Sequence, residues 1–115
     1  MQDYELDAYL GDDITITDDQ RAALHRASDM IDTRYPNADL RDDAETAFAA
    51  AMQVILGDTT VDDEATAWSD ARRAERTAMA SLTGAIIAAS ADESENAIAQ
   101  RTGIHRGTVR KALGK

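Results

Sequence analysis

Five cations close this 115-residue chain: Arg101, Arg106, Arg110, Lys111 and Lys115 all fall in the last 20 residues, where there is no Asp or Glu. Guanidinium and ammonium groups spaced this way bind phosphate oxygens, and an arginine can also hydrogen-bond the O6 and N7 edge of guanine. The first 95 residues hold all 22 acids and seven of the twelve bases, so a body of net −15 precedes a tip of net +5, giving −10 overall. Phosphates repel a body of that charge, which excludes a chain that coats nucleic acid non-specifically. Only the tip has the sign to approach a duplex.

Two short helices must hold those cations. Ser94 is placed to cap a helix over residues 95–101, with Ile98 and Ala99 turned inward. Thr102, Gly103 and Ile104 read as a turn in which the glycine supplies a positive φ. A second helix over residues 106–113 puts Val109 and Leu113, four apart, on its inner face. The stretch AIAQRTGIHRGTVRKAL resembles the helix-turn-helix of bacterial and phage DNA-binding proteins. It is most similar to the C-terminal motif of serine recombinases and invertases and to that of small actinobacterial and phage regulators. The likeness rests on Ala99, small where the second helix crosses it, on Gly103 at the turn, and on Ile104 and Val109, which lock the pair. A helix from Leu82 to Ser90 would complete a tri-helical unit over residues 81–115. Residues 1–80 resemble no family.

The resemblance implies roles for the outward positions. Arg106 and Arg110 become candidates for guanine edges in the major groove. Arg101, Thr102, Thr108 and Lys111 suit phosphates, and Asn96 and Gln100 suit backbone contacts from the preceding helix. His105 and Gly107 lie on the same outer face. His105 stands where such motifs usually carry Ser or Asp, which are better helix caps.

The body also reads as helical. Thr17 to Gln20 has the pattern of a capping box, with Asp18 and Asp19 in the first turn, where negative charge suits the helix dipole. Leu24, Ala27, Ile31 and Tyr35 then form one face, and Pro36 stops the helix. A second helix is expected from Asp39 to Leu56, with Gly57 as its C-terminal glycine. A third starts after Thr60 and runs to about Ser90, with a bend or break expected between Ser81 and Gly84 because glycine costs about 1 kcal/mol against alanine in a helix. Asp13 to Thr17 alternates in the manner of a short strand. Residues 1–12 give no firm pattern. Alanine-rich stripes bury little area each, so residues 1–80 are expected to be an acidic dimerisation region, with Trp68 as a core or dimer anchor.

The expected fold class is all-α: a helical N-terminal dimerisation region followed by a C-terminal tri-helical helix-turn-helix. The chain has no cysteine, so disulfides and thiolate metal sites are excluded. The paired acids mostly fall at helix starts and lack the spacing of a calcium loop, so neither metal nor cofactor is expected. His25 has no second histidine near it and reads as a surface or boundary residue. No glycine-rich phosphate loop or nucleophile elbow is present, so no catalytic residue is assigned and an enzyme is not expected. Met1 is followed by neither a basic nor an apolar leader pattern, and no stretch is apolar enough to enter a bilayer, so a cytoplasmic location is expected. The reading is a small dimeric, sequence-specific DNA-binding transcriptional regulator, most simply a repressor of phage or plasmid type. The alternative makes the acidic body the working surface, docking a basic protein as an antitoxin, anti-repressor or DNA mimic does, with the motif serving autoregulation.

Overall fold

In the computed structural model, which describes all 115 residues, every regular element is helical. The six α-helices are α1 (Asp3–Leu10), α2 (Asp18–Arg34), α3 (Arg41–Ile55), α4 (Val61–Ala89), α5 (Glu95–Thr102) and α6 (Arg106–Ala112), with one 3-10 turn at Ala38–Leu40. The chain is therefore all-α. It divides into two compact units, Met1–Ala65 and Thr66–Lys115.

The first unit is built around Leu6, Leu10, Leu24 and Phe48, so α1, α2 and α3 each contribute to one core. The Thr17 capping box forms: its hydroxyl accepts from the Gln20 amide at 3.1 Å, and the Gln20 carbonyl oxygen accepts from the Thr17 amide at 2.9 Å. α2 ends at Arg34, just before Pro36. The residues after Asp13 do not form a strand; the chain there is irregular up to the α2 cap. A five-residue alternation gains nothing as a strand without a neighbour to pair with, and this all-helical unit supplies none. Residues 3–10 form a helix, fastened by Leu6 and Leu10 in the core and by polar contacts to α2.

Those contacts place His25 at the boundary, as the sequence suggested, and give it a partner. Its Nε2 lies 2.6 Å from the Asp3 carboxylate, and Arg21 donates to both Asp3 (3.4 Å) and Asp7 (3.0 Å). His25 is thus half-buried and paired, one of two α2 side chains that hold α1. The bonded His25 ring, with help from the Arg21 guanidinium, keeps the Asp3 carboxyl below its ordinary range, against the opposing effect of burial.

In the second unit, Ile86 from α4, Ile98 from α5 and Val109 from α6 share one core. Leu82, Ala99, Ile104 and Leu113 pack around them. The break expected between Ser81 and Gly84 is absent: α4 is continuous over 29 residues. Gly84 sits in open space, and its weak helix propensity is outweighed by the packing of Leu82 and Ile86 on either side. Trp68 is not in a core; it is 61 % exposed, with the Arg72 guanidinium 4.8 Å from its ring centre.

Candidate nucleic-acid interface

The geometry of the tip starts from its caps. The Ser94 hydroxyl accepts from the Ala97 amide at 3.1 Å and starts α5. α5 ends at Gly103, whose φ of 75° places it in the left-handed region while its N–H donates to the Ala99 carbonyl at 2.9 Å. Any side chain would be strained there, so the sharp turn depends on glycine. Thr102 reinforces the turn: its hydroxyl donates to the Ile98 carbonyl at 2.7 Å and accepts from the Ile104 amide at 3.2 Å. The Thr102 hydroxyl proton is thus engaged within the turn.

His105 caps α6. Its Nδ1 accepts from the Gly107 amide at 3.0 Å, which places the ring proton on Nε2 and leaves an outward N–H donor. This explains Gly107. A Cβ at that position would lie 3.0 Å from the same Nδ1 and 3.3 Å from Cε1, so the missing side chain makes room for the imidazole over the first turn. The weaker cap type is thus compensated by the residue two positions on.

With Val109 fully buried, the opposite face of α6 is open: Arg106, Gly107, Arg110 and Lys111 are all exposed. Two arginines share an anchor that the sequence reading did not include. Glu95, at the start of α5, accepts from Lys115 Nζ at 2.6 Å and from Arg110 Nη1 at 3.1 Å, and it lies 3.8 Å from Arg106 Nε. The Lys115 ammonium hydrogen-bonded to it holds the Glu95 carboxyl below the ordinary glutamate range; burial opposes this, and Arg110 adds to the lowering. Arg101 is similarly held, making two bonds to Glu93 at 2.8 and 3.2 Å. Lys111 makes no ion pair, and the side chains of Asn96, Gln100 and Thr108 make no hydrogen bond. The structure therefore gathers Arg106, Arg110 and Lys115 into one cluster over Glu95, sets Arg101 apart with Glu93, and leaves Lys111 projecting alone. Glu95 precedes its partners by eleven, fifteen and twenty residues, beyond any helix-periodicity rule. Its one sequence signal is that it is the last acid before the basic run.

Compared with protein-family models, with curated proteins and with solved structures, the chain matches none. No helix is long and apolar enough to cross a membrane.

Proposed function

We propose that α5 and α6 act as a helix-turn-helix that reads double-stranded DNA, and that the chain is a small sequence-specific transcriptional regulator. The observation that carries this reading is the division of α6 into two faces. Val109 locks one face into the core, while Arg106, Arg110 and Lys111 stand on a face with no carboxylate of its own. Arg106, at the start of α6, and Arg110, in its last turn on the same exposed face, are matched to guanine O6 and N7. Lys111, Arg101 and Thr108 fit phosphates, and Asn96 and Gln100 offer uncommitted amides from α5. The outward N–H of His105 is a further donor. A dimer would bring two α6 helices to successive major grooves about 34 Å apart.

Selection of bound fragments from a random duplex pool by the full chain tests this. A recurring, two-fold symmetric site is expected, and Arg106→Ala and Arg110→Ala should each weaken binding to it by about 1–3 kcal/mol. Lys111→Ala should weaken all sequences alike and lower the salt slope by about one. No enrichment, or an enriched site bound equally by both arginine variants, overturns the reading.

A second reading draws on the first unit, where all 17 carboxylates are exposed and only four arginines accompany them. A surface of that charge suits a basic protein. Retention of such a partner by a chain shortened before Ser94, with no selected DNA for the whole chain, would favour it.

A further inference from the structure

The first 21 residues of α4, Val61 to Ser81, are all exposed. That is unusual, because most helical stability in proteins comes from packing one apolar face, and a long helix open on every side lacks it. Yet α4 carries a stripe at that spacing, apolar at Val61, Ala65, Trp68 and Met79 and charged at Arg72 and Glu75, recurring at alternating intervals of four and three, and Leu82 and Ile86 continue it. The last two are covered by α5 and α6. The remainder of the stripe, centred on Trp68, is bare.

We propose that this stripe pairs with the same stripe of a second copy, antiparallel, with the two-fold axis beside Trp68. Charge decides the direction. Glu64 and Arg72 stand four residues on either side of Trp68, each about 40° around the helix from it. An antiparallel partner centred there sets Glu64 of one copy at the level of Arg72 of the other. A parallel partner in register sets Arg72 against its own copy and Glu75 against its own copy along the stripe, at a cost at both. Sizes follow the same symmetry: Ala65 and Ala71, three residues on either side, leave room for the two indoles between them. The Arg72 guanidinium already lies over the Trp68 ring, and its stem would cover the indole edge as the head turns toward Glu64 of the second copy. This inference names the interface of the dimer invoked above, but it stands on α4 alone and is tested without DNA.

The absence of cysteine makes the test direct. Native full-length chain should show twice its 12.4 kDa mass by light scattering at micromolar concentration. Trp68→Cys should form a covalent dimer on mild oxidation, being next to the axis. Ala65→Cys and Ala71→Cys, each alone, should cross-link poorly, whereas an equal mixture of the two should cross-link well. The charge variants Glu64→Arg and Arg72→Glu should each be monomeric alone and restore a dimer when mixed, which separates a lost interface from a lost fold. A monomeric native chain overturns the proposal. So does self-cross-linking of Ala65→Cys that matches the mixture, which marks a parallel pair, and so does a dimer unchanged by every α4 variant, which marks another surface. None of these outcomes depends on whether α6 reads DNA.

Discussion

The two units use ion clusters of inverse design. In the first, the better-covered member is a cation: Arg21, 33 % exposed, is held between Asp3 and Asp7, which are 60–70 % exposed. In the second, the better-covered member is an acid: Glu95, 15 % exposed, lies beneath Arg106, Arg110 and Lys115, each about half exposed. The inner residue fixes positions, and the outer residues set the sign of the surface. The first arrangement leaves carboxylates outside and fastens α1 to α2. The second leaves guanidinium and ammonium groups outside while their stems are held in place. An internal carboxylate is therefore consistent with a cationic working face, because it orders long side chains that would otherwise lose rotamer freedom on meeting a ligand.

The comparison breaks most severely if the second cluster loses its platform. Ile98→Ala removes a fully buried side chain and should cost about 2–5 kcal/mol. Residue-resolved hydrogen exchange should show α5 and α6 opening faster, with α2 and α3 still protected, because the two cores share no residue. Equal loss of protection in α2 would mean that the two units fold as one and that the contrast between them is only local.

A smaller change sharpens the contrast. Glu95→Gln keeps the shape of the inner residue but removes its charge, freeing Arg106, Arg110 and Lys115. Affinity for arbitrary duplexes should rise several-fold at low salt, while discrimination between the selected site and arbitrary DNA should fall, as read by fluorescence anisotropy on both. Asp3→Asn in the first cluster should change neither. If Glu95→Gln leaves both affinities unchanged, the carboxylate does not control those cations.

What the sequence made legible here was local. The Thr17 capping box, the Ser94 cap, the stop before Pro36 and the left-handed Gly103 each follow from residues within one helical turn, and each is present. The inward set Ile98, Ala99, Ile104 and Val109 was legible because its spacing encodes a helix crossing. The break in α4 and the strand before Thr17 failed because local propensity was weighed without its tertiary context: packing carries Gly84, and the strand has no neighbour. Asp3–His25 and the Glu95 cluster were illegible because they join residues 11 to 22 apart, whose meeting depends on how helices pack. The exposure of Trp68 was illegible for a related reason, since a stripe at helical spacing does not say whether anything in the same chain covers it.

The start of α6 offers a finer test of whether the outward face is built as a unit. His105→Ala removes the cap and should cost about 1 kcal/mol, as cap losses usually do. His105→Ser should recover that stability, because a hydroxyl serves the same orphan amide, yet it should not recover any DNA contact made by the Nε2–H. Gly107→Ala crowds the imidazole, so its gain in helix propensity should be offset by the loss of the cap in His105 protein and appear in full, up to about 1 kcal/mol of stabilisation, in His105→Ser protein. Thermal unfolding of the four combinations measures this coupling, and additive effects would mean that Gly107 is not there for the ring.

The smallest effect is the dependence on acid, and it bears on both clusters. Asp3 and Glu95 have folded-state pKa values below their ordinary ones. Each therefore binds its proton more readily in the unfolded chain, and stability must fall as that proton is taken up. The contribution is fully present above the ordinary carboxylate range, about pH 4 to 5, and is lost as pH drops through the lower folded value. Both groups lie near the surface, where salt screens them, so the loss should be shallow and should shrink as ionic strength rises. Glu95→Gln should flatten the acid limb reported by amides of α5 and α6, and Asp3→Asn the limb reported by α1 and α2. An acid limb in α5 and α6 that persists unchanged in Glu95→Gln would show that the three cations are held by something other than that carboxylate.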